Sequence, residues 1–199
     1  MFTFRQATPD DADDIGHIVA STSGGLADLL LDGLIPGLSC AAILSAAFSK
    51  GEGPYRTDNV ICSQGTGRLT SILFAYPSSE HKVPPLLESF IPAKRLDPVR
   101  PILERSAPGS LYINTLWLEE GLRGKGHLSA LLLEAESICR FLGRNRISVF
   151  CWNDDDDAMR RWTHHGFSIF ELLDRETIPV SGHDKGGSIL HKAVNRIIP

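Results

Sequence analysis

The chain has 199 residues, of which 42% are hydrophobic and 22% charged, and its formal net charge is -4. These values are typical of a globular protein, and we expect one domain, because two smaller units would each have a small core. A mildly acidic chain has no overall attraction to nucleic acids or to an anionic membrane surface, and no apolar stretch approaches the roughly 20 residues of a membrane span, so neither is an expected partner.

The cysteines and the N-terminus predict a cytoplasmic protein without a metal. The four cysteines are far apart and include no CxxC pair, which argues against a clustered zinc site. Three of them lie in apolar or mixed runs that favour small buried side chains. No apolar run follows residues 1–5, so no secretory signal is predicted. This cysteine usage is typical of a reducing compartment.

The first part of the chain predicts a strand, several helices and a hairpin. Residues 2–6 alternate apolar and polar side chains, as a short strand does. Thr8 is a good N-cap for the helix that follows, with Pro9 in its first turn. Further along, the pattern predicts helical pieces at Leu26–Leu31 and Ala41–Phe48, and strands at Val60–Cys62 and Leu69–Tyr76 around a turn at Gln64–Gly67.

The second part begins with an irregular, proline-rich insert and then alternates strands and helices. In the insert, residues 77–109, we expect helices near Leu86–Ile91 and Pro98–Glu104. After it, the predicted elements are strand Leu111–Leu118, turn Glu119–Gly126, helix His127–Leu142 ended by Gly143, strand Arg146–Trp152, helix Asp154–His164, and strands Phe167–Leu173 and Ser188–Val194. This order predicts a mixed α/β sheet with helices on both faces.

The turn Arg123-Gly124-Lys125-Gly126 joins a strand to a long helix and predicts an anion site. The first amides of a helix have no intrahelical partners, and the helix dipole adds partial positive charge there. Glycines let a phosphate approach those amides, and the two basic side chains add full charges. We therefore expect a pyrophosphate or a similar polyanion. Gly-x-Gly alone is weak evidence, and the alternative is a plain strand-to-helix connection.

This turn resembles the acyl-CoA pyrophosphate loop of the GNAT superfamily of N-acetyltransferases, usually written Gln/Arg-x-x-Gly-x-Gly/Ala. Arg123 matches its first position and Gly126 its fourth, whereas Leu128 stands where the family has Gly or Ala. Residues 4–12 resemble the family's first strand and helix entry. Residues 24–109 match nothing in the family apart from the generic hairpin.

A further segment, residues 155–167, resembles the family's second cofactor segment, Asn-x-x-Ala-(x)3-Tyr-(x)3-Gly-Phe. Ala158, Gly166 and Phe167 have the family's spacing, and Asn153 lies two residues early. The resemblance implies a single α/β domain over residues 1–199, with a mixed, mostly antiparallel sheet, a splayed central strand pair and helices on both faces.

The implied function is transfer of an acetyl or other acyl group from acetyl-CoA to an amine of a small molecule, peptide or protein by direct attack. The alternative is a GNAT-fold module of weak or no activity that binds acyl-CoA as a sensor or scaffold. Other nucleotide-binding enzymes are disfavoured, because the P-loop Gly-Lys-Ser/Thr is absent and a Rossmann fingerprint needs a third glycine or alanine and an early position. The sequence leaves a homodimer open.

The resemblance also implies which residues bind the co-substrate. The backbone of the strand before the turn would pair with the pantetheine arm, and one of its N–H groups would polarise the thioester. Asn153 would line the other side of the pantetheine. Trp162 departs from the family's Tyr, and two interpretations stay open for it: a ring that packs against the cofactor, or a core aromatic. The predicted cofactor-binding residues are Leu116, Trp117, Leu118, Arg123, Gly124, Lys125, Gly126, His127, Leu128, Ser129, Asn153 and Trp162.

No catalytic residue is assigned from the sequence. The family's usual general acid is a Tyr, and the indole of Trp162, which stands in its place, cannot serve as one. Glu119 and Glu120, just beyond the strand, are interpreted as solvated turn acids. The pair His164-His165 and the acids of Asp154–Asp157 are interpreted as helix-end groups rather than catalytic or metal-binding ones. The insert is expected to shape the acceptor groove.

Overall fold

The computed structural model describes residues 3–195, so Phe2, at the start of the first predicted strand, lies outside the described residues. The strands are β1 (Arg5–Gln6), β2 (Val60–Gln64), β3 (Leu69–Pro77), β4 (Leu111–Leu118), β5 (Arg146–Trp152), β6 (Ser168–Leu173) and β7 (Gly187–Ala193). The helices are α1 (Ala12–Thr22), α2 (Leu26–Leu31), α3 (Cys40–Lys50), α4 (Pro85–Phe90), α5 (Ala93–Leu96), α6 (Arg100–Glu104), α7 (His127–Phe141) and α8 (Asp156–His164). None of the helices in residues 3–195 is long and apolar enough to cross a membrane.

The strands form one seven-stranded sheet in the order β1-β2-β3-β4-β5-β7-β6. β4 and β5 are parallel and joined through α7, whereas β2, β6 and β7 pair antiparallel with their neighbours. Over the described residues, β4 and β5 pair only at Leu111–Ile113 with Ile147–Val149, although the strands have eight and seven residues. The sheet is therefore mixed and mostly antiparallel, as predicted, with a central pair that separates after a short register.

Two compact units make up the chain. The first contains the residues up to Ala75, together with Pro84–Arg95 and Thr115–Leu131. The second contains Tyr76–Val83, Leu96–Asn114 and the residues from Leu132 onward. The single-domain interpretation stays a prediction.

In the first unit, α1 and α3 approach each other closely at Gly16. A Cβ built on Gly16 would lie 2.5 Å from the backbone nitrogen of Ser45, so only glycine fits here without a shift. The Ser45 hydroxyl makes hydrogen bonds to the carbonyl of Ala41 at 2.9 Å and the carboxylate of Asp13 at 3.1 Å. This contact fixes one helix against the other.

The start of α1 is held by an ion pair. The chain enters the helix through a 3-10 turn at Pro9–Asp11, which Thr8 precedes as predicted. Arg5 donates two hydrogen bonds to Asp11, at 2.7 and 2.8 Å, and the Thr8 N–H donates a third at 2.7 Å. The guanidinium of Arg5 is the main reason that the pKa of Asp11 falls to about 2.

The second unit contains a buried polar chain around His81. The His81 Nε2 lies 2.9 Å from the carbonyl oxygen of Ile102, which can only accept, so Nε2 carries the proton. Nδ1 of the neutral ring then accepts from the Tyr76 hydroxyl at 3.1 Å, and that oxygen accepts from the Asn114 amide at 3.1 Å. The ring stacks on Tyr112, and burial lowers the pKa of His81 to about 4.

All four cysteines are buried and none forms a disulfide. The prediction that three of them are small buried residues is therefore confirmed, and the fourth is buried as well. Burial is the largest cause of a raised pKa at every one of them.

Candidate functional site

The turn between β4 and α7 has the backbone that its glycines predict. After a 3-10 turn at Glu120–Leu122, Arg123 is extended, and Gly124 and Gly126 have φ angles of 73° and 81°. These left-handed angles favour glycine. A Cβ built on Gly124 would meet no atom within 4 Å, so the space beside this residue is open.

The first turn of α7 follows directly. The N–H of Ala130 donates to the carbonyl of Gly126 at 3.0 Å, so the amides of residues 127–129 precede the first intrahelical hydrogen bond. The side chains of Arg123 and Lys125 are exposed. Leu128, the departure from the family's pattern, is half-buried and leaves the helix uninterrupted. Glycine backbone, basic side chains and helix start thus lie within seven consecutive residues.

The base of the turn is tied to the hairpin of β2 and β3. The N–H of Glu119 donates to the carbonyl of Thr70 at 2.9 Å, and its carboxylate pairs with Arg68 at 3.1 Å. Glu120 is exposed, and the Glu119 side chain remains 38% exposed, so both fit the interpretation as solvated turn acids. The sequence did not indicate the partner of Glu119, because Arg68 lies 51 residues earlier in the chain.

A cavity of about 440 Å³ opens in the first unit beside this turn. It is lined by Asp14, His17, Ile18, Arg68, Leu69, Trp117, Leu118, Glu119, Glu120 and Arg123. Three of the predicted site residues, Trp117, Leu118 and Arg123, contribute to it. Sequence reasoning missed the contributors from α1 and the hairpin, since no local pattern connects them with β4.

Ten of the twelve predicted site residues, those between Leu116 and Ser129, belong to the first unit, and the other two belong to the second. The side chain of Asn153 is already engaged: it donates to the carbonyl of Lys185 at 3.0 Å and accepts from the Ser188 hydroxyl at 2.5 Å. Trp162 is half-buried and packs edge-on against Phe167, with ring centroids 4.9 Å apart. This contact fits a packed aromatic.

Two acids that precede α8, Asp154 and Asp155, make different contacts. The Asp155 carboxylate caps the helix by accepting from the Ala158 N–H at 2.8 Å, so α8 begins at Asp156 rather than at Asp154. Asp154 instead contacts His183 at 2.9 Å. Among residues 3–195, no group of three or more His, Cys, Asp or Glu could hold a metal ion.

No family model matches the sequence, and no curated protein matches it either. Solved structures do match. A crystal structure of an acetyltransferase superposes with a TM-score of 0.68 at 18% identity, covering 97% of this chain and 100% of the other. An N-acetyltransferase from Staphylococcus aureus Mu50 gives 0.67 at 16% identity, covering 95% and 99%.

A third match is the GphF GNAT-like decarboxylase in complex with isobutyryl-CoA. Its TM-score is 0.55 at 14% identity, and the match covers 97% of this chain and 100% of the other. Further similar structures are described as acetyltransferases of the GNAT family. At these identities the likeness shows the fold. The chain therefore has the GNAT fold that its sequence predicted.

Proposed function

We propose that the protein is a GNAT acyltransferase that transfers an acetyl or other acyl group from acyl-CoA to an amine. The turn between β4 and α7 carries the proposal, because two left-handed glycines, two exposed basic side chains and the start of a 15-residue helix stand together there. That is the environment a pyrophosphate requires. The fold shared with acetyltransferases supports it, as does the isobutyryl-CoA bound to one protein of this fold.

The co-substrate would be held mainly by the first unit. Arg123 and Lys125 would pair with the phosphates, and the amides from Gly124 to Ser129 would donate to them. The backbone of Leu116–Leu118, which lies beyond the short register of β4 with β5, would pair with the pantetheine arm. Asn153 and Trp162 would contribute from the second unit.

In the proposed reaction, the acceptor's ammonium group first loses a proton to water, and the neutral amine attacks the thioester carbonyl carbon. A C–N bond forms, the C–S bond breaks, CoA leaves as a thiolate, and the nitrogen releases its second proton to water to give the amide. An N–H of Leu116–Leu118 would stabilise the developing oxyanion. A free thiol has a pKa of about 8.5, so the leaving thiolate can take its proton from water. The absence of a Tyr at position 162 is therefore compatible with turnover.

A binding module without turnover is the second candidate, and Trp162 is the observation that favours it. The residue stands where the family has its usual general acid, and its ring packs on Phe167. Such a module would bind acyl-CoA through the same turn. Both candidates therefore bind acyl-CoA, and only the first transfers the acyl group.

Release of CoA from acetyl-CoA, measured with a panel of amines, separates these candidates. We expect turnover that falls at least tenfold in Gly126→Glu, because the new carboxylate sits at the phosphate site and the residue's φ of 81° disfavours any side chain. Binding of acetyl-CoA without turnover on any amine would favour the module. Lack of binding by calorimetry would refute both.

A matched pair of charge variants tests the assigned phosphate site. Lys125→Ala should weaken acetyl-CoA binding by about three- to tenfold, since a charge-assisted contact is lost. Lys82→Ala removes the same charge from an exposed position outside the turn and should leave the affinity unchanged. Equal effects of the two substitutions would show that only net charge matters.

A further inference from the structure

The cavity beside the turn has a charge balance that favours a cation. Three carboxylates line it, and the carboxylate of Glu119 is neutralised by Arg68 at 3.1 Å. Asp14 and Glu120 then remain against Arg123. With two arginines against three carboxylates, the lining carries a formal charge of -1 when no CoA is bound. Under the proposed function Arg123 faces the phosphates of CoA, so a bound co-substrate leaves both Asp14 and Glu120 uncompensated.

Asp14 is fixed in place. Its carboxylate accepts a hydrogen bond of 3.1 Å from the N–H of Leu69, a residue that also lines the cavity. The residue is half-buried, whereas Glu120 is exposed. One carboxylate is thus anchored between α1 and β3, and the other stands at the open rim.

Apart from His17, whose ring lies 3.9 Å from the carboxylate of Asp13, the remaining lining is apolar and aromatic. The lining includes the aliphatic residues Ile18, Leu69 and Leu118, and also Trp117, whose indole is the ring type that attracts cations most strongly. The volume of about 440 Å³ lies in the range of small-molecule sites, roughly 300–1,000 Å³. An apolar surface with an anchored carboxylate suits a ligand that has a carbon skeleton and one positive charge.

We infer that this cavity binds the acceptor, a protonated small-molecule amine on an apolar or aromatic skeleton. The inference rests on the proposed function and names its substrate class. Acceptors that carry a carboxylate or phosphate would meet Asp14 and Glu120 and bind weakly. No residue of the insert, 77–109, lines this cavity, so the inference departs from the expectation that the insert shapes the acceptor groove.

Three probes of one shape and different charge test the cavity without acetyl-CoA: 2-phenylethylammonium, neutral 2-phenylethanol and anionic 3-phenylpropionate. Their binding is followed by amide and indole chemical shifts, with the Trp117 indole assigned from Trp117→Phe. We expect the ammonium ion to bind most tightly and to shift Ile18, Leu69 and Trp117. Equal binding of the alcohol, tighter binding of the anion, or shifts confined to other residues would overturn the inference.

Charge variants provide the second arm. Asp14→Asn with Glu120→Gln removes both charges, and the Asn oxygen still accepts from Leu69. The loss of both charges should weaken binding of the ammonium ion by about three- to tenfold. The matched double variant Asp58→Asn with Glu176→Gln removes two exposed carboxylates outside the cavity and should bind as the wild type does. Equal losses in the two double variants would count against the cavity.

The amine and CoA measurements can fail separately. Ammonium binding in the cavity without CoA release from acetyl-CoA supports the cation site and refutes the proposed activity. CoA release on an amine that shifts no cavity residue supports the activity and overturns the inference. In an active enzyme, Asp14→Asn with Glu120→Gln should raise the KM of the amine but not that of acetyl-CoA, because the loss of negative charge beside Arg123 does not weaken binding of an anion.

Discussion

His81 should make the stability of the fold depend on pH between about 6.5 and 4. Burial is the main cause that lowers its pKa from 6.5 to about 4 in the folded chain. Above pH 6.5 both states are neutral and the residue adds no pH dependence. As the pH falls, the unfolded chain takes up the proton first, so the free energy of unfolding decreases by about 1.4 kcal/mol per pH unit, or roughly 3 kcal/mol in total.

The assay compares urea unfolding of the wild type and of His81→Gln at pH 7, 5.5 and 4.5. Glutamine can donate to the carbonyl of Ile102 and accept from Tyr76 but cannot titrate. The wild type should lose stability more steeply, by roughly 2–3 kcal/mol over this range, while contributions common to both proteins cancel. In the control variant His164→Gln, which replaces an exposed histidine, the free energy of unfolding should fall with pH as steeply as in the wild type.

If the free energy of unfolding depended on pH in the same way in the wild type and in His81→Gln, the reasoning would be refuted. If the variant fails to fold, NMR titration of the His81 ring in the wild type gives the answer directly. A folded-state pKa near 6.5 would show that the ring is not held neutral by its surroundings.

Two further predictions concern stability. Gly16→Ala should destabilise the protein by about 1–3 kcal/mol in urea unfolding, since its Cβ would press on the backbone of Ser45, whereas Gly121→Ala, where a Cβ meets no atom within 4 Å, should change stability by less than about 0.5 kcal/mol. Equal effects would contradict the close helix contact. Asp11→Asn should cost about 1–3 kcal/mol at pH 7 through the loss of its charged pair with Arg5. The wild type's advantage should shrink as the pH falls from 3.8 towards 2, because Asp11 is then protonated, and an advantage that persists at pH 2 would exclude the ion pair as its cause.

Local sequence was sufficient for most of the fold. β4 and β5 have the predicted bounds, because both segments are rich in β-branched and aromatic residues. The start of α8 differed, since each of four consecutive acids is able to cap a helix. Asp155 caps the helix, whereas Asp154 contacts His183. His183 lies 29 residues further along the chain, so no local pattern could predict this contact.

The same distinction applies to the candidate site. The turn was predictable because its glycines, basic side chains and helix start are contiguous. The cavity was not, since it combines β4 with residues of α1 and the hairpin that lie about 50 to 100 positions earlier. The polar chain of His81 was equally hidden, because its partners Tyr76, Ile102 and Asn114 come from separate segments.

The four buried cysteines have a practical consequence for the experiments described above. Burial raises the pKa of Cys151 to about 12, and the thiols of Cys40, Cys62 and Cys139 are shifted in the same direction. Reagents that change colour on disulfide exchange react with exposed thiolates. The folded protein should therefore react very little with these thiol reagents. A rising signal in a mixture with acetyl-CoA would report newly released coenzyme, recorded continuously against a flat background.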